Sequence, residues 1–316
     1  MFIGRPPDPL AAAPMTSSNL RAPRPVGGRF AGERRAFTLV ELLAVIAIIG
    51  ALIGLLLPAV QRTREVSRKT QCGNNIRQTA LGLCAYESAR RRFPTGCDLL
   101  PRGAALPTGT EHAWSSFILP YVEETGISDR INYTKLWNAA GGNDIAGRQA
   151  VATYVCPSGI VSSVGKADYA GISGSWIMSA GVPFLGAAGL HNGMLFADDG
   201  EHRAATAADA TDGLSRTLLV AEAIDRGDAT APDRDPDATG RWARINCFAQ
   251  SAAFVNALGS DISSHHTGGA QAACGDGRVT FLSDSMDPAV LSALCTRNGG
   301  EANTCLLYTS PSPRDS

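Results

Sequence analysis

The sequence predicts an α+β protein: one long N-terminal helix, apolar enough in its first half to span a membrane, followed by a loop-rich, mainly antiparallel β head domain. Three observations lead there. From Leu42 to Val60 no charged residue occurs, and the 24 positions from Phe37 to Val60, at about 1.5 Å each, match a hydrocarbon core about 30 Å thick. After Pro58 the helical period continues in changed form, with Cys72, Ile76, Ala80, Leu83 and Glu87 near one turn apart while Arg62, Glu65 and Lys69 lie elsewhere. Finally, 34 glycines and 18 prolines punctuate short apolar runs, which favours an α+β head over a parallel sheet.

The elements follow in order. Residues 1–36 are rich in Pro, Ala and Gly without apolar periodicity, as expected of a disordered leader that is discarded, and Met15 is an alternative start. Arg21, Arg24, Arg29, Arg34 and Arg35 precede the apolar segment and favour a cytoplasmic N-terminus. Arg62, Arg64, Arg68 and Lys69 follow it, so the asymmetry is partial. A cleaved secretory signal is the competing reading, but its apolar region is about 7–15 residues long, shorter than this one. Gly50 and Gly54, with Pro58 four residues on, give the span a small-residue face suited to close helix contact; glycine is also common in membrane helices for no such reason. The helix is expected to end at Arg92, because the residue before Pro94 is forced out of helical geometry. This divides the chain into a leader 1–36, a membrane half 37–60, an exported half 61–92 and a head 93–304.

Within the head, strand-like runs are expected in Thr110 to Tyr121, Tyr154 to Val164 and Leu214 to Ala223, with helices over Pro120 to Asn132 and Pro288 to Thr296. Ala270 to Cys274 and Arg278 to Leu282 flank Gly275-Asp276-Gly277, and Asp-Gly between two apolar runs signals a hairpin. The final segment 305–316 fits nothing before it and resembles a translated sequencing adaptor, a non-native tail set aside from the fold.

A net charge of −1 argues against a nucleic-acid partner, since a phosphate-tracking surface needs an excess of Lys and Arg. No repeat of 20 to 50 residues suggests a solenoid or propeller. Gly171-Ile-Ser173-Gly-Ser175 begins like a nucleophile elbow but ends in Ser where Gly is required. Asp233, Asp235 and Asp237 imitate a calcium loop, yet Ala238 and Arg244 occupy the Gly and Glu positions. Without a Walker loop or dinucleotide fingerprint, no cofactor is implied. Eight cysteines and no Cys-x-x-Cys leave a zinc ribbon unsupported and the disulfide map unreadable from spacing.

The run Arg34-Arg35-Ala36-Phe37-Thr38-Leu39-Val40-Glu41 before the apolar helix resembles the signal of type IV prepilins and type II secretion pseudopilins. The resemblance implies cleavage between Ala36 and Phe37 by a prepilin peptidase, methylation of the Phe37 amine, and an assembly role for Glu41. That carboxylate would neutralise the N-terminal amine of a neighbouring subunit, which accounts for a charge inside a membrane segment. Ala36 stands where the family usually has Gly; both are small. Further on, Gln71-Cys72-Gly73-Asn74-Asn75, Phe93-Pro94-Thr95-Gly96, Trp114 with Leu119-Pro120-Tyr121, Cys156-Pro157-Ser158, Asp168-Tyr169-Ala170-Gly171, Asp212-Gly213 with Glu222, and His266 followed after nine residues by Asp276-Gly277 resemble the DUF1559-type head of planctomycete pilin-like proteins.

These resemblances imply a non-enzymatic subunit held in the inner membrane by a single pass, with its head periplasmic or extracellular. It would partner copies of itself or other pilin-like subunits in a pilus or pseudopilus. The alternative is a binding module or enzyme that uses the helix only as an anchor. Cys72 and Cys156, both within family-like motifs, are the first expected disulfide. His266 and Asp276 are the candidate metal residues, for Ca²⁺ held by loop oxygens and imidazole. A plainer reading has His266 pinning the Gly268-Gly269 turn and Asp276-Gly277 making the hairpin.

Overall fold

The computed structural model describes residues 38–98, 110–159, 165–175, 192–198, 204–224, 248–251, 255–256 and 262–300. The leader, Ala36, Phe37, the Asp233–Asp237 loop and the tail lie outside them. The first helix, α1, runs Leu39–Arg90 with Pro58 inside it. It ends two residues before the expected Arg92, where Arg91 turns into the left-handed region at φ 61°. Short pieces follow: β1 (Cys97–Asp98), α2 (Trp114–Phe117), α3 (Thr125–Ser128) and α4 (Gly142–Gly147). The remaining elements are β2 (Tyr169–Ser175), β3 (Ala197–Asp198), β4 (Leu218–Glu222), β5 (Phe248–Ser251), β6 (Gly269–Cys274), β7 (Val279–Ser283) and α5 (Pro288–Cys295).

The chain divides into two compact units, Met1–Leu55 and Leu56–Ser316. In the first, the described large apolar side chains from Leu39 to Leu55 are all exposed. The second unit is built on a five-stranded sheet in the order β5-β2-β4-β6-β7. β2–β4, β4–β6 and β6–β7 pair antiparallel, and only β5 runs parallel to its neighbour β2. An α+β fold with a mainly antiparallel head is therefore what forms.

The strands β2, β4 and β6 are buried along their whole lengths because both faces of the sheet are covered, which explains why Leu-Leu-Val-Ala-Glu shows no alternation. One core gathers Cys72, Ile76, Ala80 and Leu83 of α1 with Tyr169, Leu219 and Ala273 of the sheet and with Trp114 and Tyr154. The second joins Ala170, Ile172, Ala270 and Ala272 to Leu291 and Leu294 of α5. Side chains as large as Ile76 and Leu83 each contribute roughly 1.5–3 kcal/mol when fully buried. α5 starts where predicted: Asp287 caps it by accepting from Ala289 N–H at 2.7 Å, and Pro288 occupies the first turn.

Three expectations for the head need correction. Thr110 to Tyr121 is not a strand: after isolated bridging at His112 and Ala113 it coils into α2 and a 3₁₀ turn, Leu119–Val122, with Pro120 near its start. Tyr154 closes another 3₁₀ turn, Ala152–Tyr154, and Pro157–Ser158 turns the chain again; residues 160–164 lie outside the described set. The helix expected over Pro120 to Asn132 is broken by Glu123, which is left-handed at φ 66°. These apolar runs are short, and short runs alone do not separate strand from buried turn. Conversely Tyr169–Ser175, not assigned to a strand above, is β2, the second strand of the sheet from the β5 edge. Ser173 lies within it, buried and without an elbow.

Candidate functional site

The start of α1 carries the first candidate residues. Thr38 N–H and Oγ1–H both donate to Glu41 Oε2, at 2.9 and 2.7 Å, and Glu41 N–H donates back to Thr38 Oγ1 at 3.2 Å. This is a capping box: Thr38 at the N-cap and Glu41 three residues on satisfy each other's orphan groups. The Glu41 side chain is engaged by its own helix end and lies exposed. The helix it opens is long and apolar enough to cross a membrane.

A second constellation forms where the head meets the C-terminal half of α1. Cys72 and Cys156 are joined by a disulfide. Around it the Gln71-Cys72-Gly73-Asn74-Asn75 motif stitches the helix to the segment 152–156. Asn75 Nδ2–H donates to the carbonyls of Ala152 and Val155 at 3.3 and 2.8 Å, and Gln71 Nε2–H donates to Asn75 Oδ1 at 2.9 Å. Tyr169 O–H donates to the Cys72 carbonyl at 3.3 Å. A Cβ at Gly73 would lie 2.7 Å from Gln271 Oε1, so this position lets β6 approach the helix. On that side Gln271 Nε2–H donates to the Lys69 carbonyl at 2.5 Å.

Beside the disulfide lies a line of charge. His266 Nδ1 is 2.7 Å from Glu65 Oε1, and its Nε2 is 3.3 Å from Glu222 Oε1. The other Glu222 oxygen accepts from Gln271 N–H at 2.8 Å. Cys156 Sγ sits 3.5 Å from His266 Nε2 and 3.8 Å from Glu222 Oε1; a disulfide sulfur carries no proton, so the second distance is a contact and not a hydrogen bond. The hydrogen bond to Glu222 raises the His266 pKa above its ordinary 6.5; burial opposes this and Glu65 adds to it. The ring stands between two carboxylates that both favour its charged form, the kind of partner a fully buried glutamate requires. Burial, followed by the charges of Glu222 and Asp168, pushes the Tyr169 phenol well above its usual range. Asp168 is buried as well: its Oδ2 accepts from Cys156 N–H at 2.9 Å and its Oδ1 pairs with Lys166 Nζ at 3.0 Å.

His266 and Asp276 do not come together. Asp276 lies in the β6–β7 turn, where its Oδ1 accepts from Arg278 N–H at 3.0 Å and Cys274 N–H donates to the Arg278 carbonyl at 2.9 Å. His266 precedes the other end of β6, a six-residue strand about 20 Å long. The Asp276-Gly277 turn, with Gly277 at φ 81°, closes the expected hairpin. The His266 ring, however, does not pin the glycine turn but holds two glutamates. Sequence reasoning placed Glu65 merely off the apolar stripe and gave Glu222 no role. The available signal was Glu222 as the one charged residue ending an otherwise apolar run, Leu218–Glu222.

The architecture is that of a pilin-like protein: an apolar helix opened by Thr-Leu-Val-Glu, continuing into the wall of an α+β head. The prokaryotic N-terminal methylation motif matches residues 33–57. A family described as a protein of unknown function, DUF1559, matches residues 61–289, well over half of the chain, and the chain belongs to that family. Over 70 residues, 22% of this chain and 69% of the relative, it is 35% identical to the competence protein ComGC of Halalkalibacterium halodurans. No solved structure matches.

Proposed function

We propose that this protein is a pseudopilin-like subunit that prepilin peptidase cleaves between Ala36 and Phe37 and methylates at Phe37. The inner membrane then holds it by Leu39–Val60, and it assembles with copies of itself or related subunits into a pilus or secretion pseudopilus. The reading rests on one observation. The large apolar side chains of that helix from Leu39 to Val60 are exposed on the chain by itself, and its single carboxylate, Glu41, stands four residues after Phe37. A helix apolar on all sides needs lipid or other helices as its surroundings. In assembly Glu41 would exchange its contact with Thr38 for the methylated amine of the next subunit. The head then acts as the displayed part, and neither a nucleic acid nor a cofactor is needed.

Mass spectrometry of the protein from its native membrane tests this directly. A mature N-terminus at methylated Phe37 is the expected result. An uncleaved chain would reduce the motif to an anchor and favour a head that acts alone. Glu41→Val is expected to be cleaved and inserted yet absent from filaments, and normal incorporation would remove Glu41 from the mechanism.

A further inference from the structure

We propose that, when the Cys72–Cys156 disulfide is reduced, Cys72, Cys156, Glu222 and His266 hold one zinc ion. Four separate segments bring these side chains together: α1, the turn after Tyr154, the end of β4 and the loop before β6. All four are buried, and their ligand atoms lie within 4.8 Å of one another. Zinc takes thiolate sulfur at about 2.3 Å and imidazole or carboxylate at about 2.0–2.2 Å in a tetrahedron, so adjacent donors stand roughly 3.3–3.8 Å apart. Three edges already have this size: Cys156 Sγ to His266 Nε2 at 3.5 Å, Cys156 Sγ to Glu222 Oε1 at 3.8 Å, and His266 Nε2 to Glu222 Oε1 at 3.3 Å. The edge that reduction itself must open is the sulfur–sulfur bond.

The surrounding contacts fit the same assignment. Glu65 accepts from His266 Nδ1–H at 2.7 Å, which fixes the tautomer that turns the Nε2 lone pair inward, the arrangement usual behind a zinc-bound histidine. Gln271 N–H engages Glu222 Oε2 and leaves Oε1 as the donor. Two sulfurs and an imidazole select a soft or borderline ion and disfavour calcium or magnesium.

The step balances with a phosphine or dithiol as reductant. Two electrons and two protons cleave the S–S bond to two thiols while the reductant is oxidised. Zinc then displaces both thiol protons and the Nε2 proton of the imidazolium. The same residues would thus fasten α1 to the head in either redox state, by a disulfide when oxidised and by the ion when reduced. This inference concerns the head and is independent of filament assembly.

The test uses the full chain in detergent, reduced with a phosphine without oxygen and titrated with zinc, then with cobalt(II) as a spectroscopic stand-in. One equivalent is expected to bind the reduced chain and none this site in the oxidised chain, and cobalt is expected to give tetrahedral visible bands with sulfur-to-metal charge transfer. Cys72→Ser and His266→Asn should abolish those bands, and Glu65→Gln should weaken zinc binding about 10–100-fold. In the reduced chain Cys84, Cys97, Cys274 and Cys295 among the described residues, and Cys247 and Cys305 outside them, offer sulfur elsewhere. Zinc held as tightly by Cys72→Ser as by the parent would place the metal on those and overturn the proposal, as would a reduced chain that binds none. If reduction unfolds the head, near-ultraviolet dichroism decides: stoichiometric recovery on adding zinc supports the site, and failure to recover rejects it.

Discussion

Along Leu39–Leu55 and along Cys72–Leu83 the same helix carries apolar side chains that meet opposite surroundings. Leu39 and Leu55 are 78% and 77% exposed, whereas Cys72, Ile76, Ala80 and Leu83 are 0% exposed. The backbone does not distinguish them; the pattern does. The first stretch is apolar on every side, and such a helix serves lipid or other chains. The second sets Cys72, Ile76, Ala80 and Leu83 on one stripe, with Asn74, Arg77, Gln78 and the exposed Leu81 off it, and that stripe becomes a wall of the head's core. Its contribution to the fold should therefore concentrate in the second stretch, and the differences can be measured.

The largest expected effect is loss of the disulfide. Cys72 and Cys156 are 84 residues apart, and closing a loop of that size stabilises a fold by roughly 4–5 kcal/mol in the chain-entropy account. Urea unfolding of Cys72→Ser with Cys156→Ser, followed by fluorescence of the buried Trp114 and Trp137, should show that loss in zinc-free buffer. The far-ultraviolet helical signal of Leu39–Leu55 in detergent should persist. A midpoint unchanged from the parent would mean that packing alone holds the second stretch to the head.

Next comes His266→Ala, which leaves Glu222 buried without its cation. Removing one partner of a buried pair costs about 3–5 kcal/mol. Adding Glu222→Gln should recover part of it, because a neutral amide can still accept from Gln271 N–H. If the double variant is no better than the single, the charge is not the source of the cost. Smaller again is the contrast between Leu83→Ala and Leu52→Ala. The buried leucine should lose about 2–5 kcal/mol and the exposed one should change head stability by less than about 0.5 kcal/mol.

How much of this was legible beforehand follows from the range of each interaction. The membrane-length run, the amphipathic stripe, the hairpin around Asp276-Gly277 and helix α5 all rest on contacts or turn chemistry within a few residues, and the sequence carries those signals directly. β2 was not legible, because Tyr-Ala-Gly-Ile-Ser-Gly-Ser owes its strand to neighbours on both edges and to small residues that admit close packing. A Cβ at Gly171 would meet Trp114 Nε1 at 2.8 Å, and nothing local reports that. The charge line was hidden for the same reason. Glu65, Glu222 and His266 are far apart in the chain, and only the fold makes an ion relay of them.

The smallest expected effect is a pH dependence confined to the head, read in the disulfide-linked protein. His266 titrates above its ordinary 6.5 in the fold. Its contribution is complete below that value and is lost as pH rises through the raised one. Glu65 behaves oppositely. Burial would raise its pKa, but the hydrogen bonds from His266 and Arg68 and their charges bring it below the ordinary 4.5. Its contribution is present above 4.5 and fades as pH falls through the lowered value. Both are whole between about pH 4.5 and 6.5, so the melting temperature of the head should be highest there and decline toward alkaline pH. Among the described residues Glu65 and Glu222 are the charged groups that face the ring, one on the helix and one on β4. His266→Gln should therefore flatten the alkaline limb and shift the acid one upward in pH, because Glu65 loses the hydrogen bond and charge of His266 and keeps those of Arg68. An alkaline limb that survives the substitution would assign it to another group and leave the relay only a packing role.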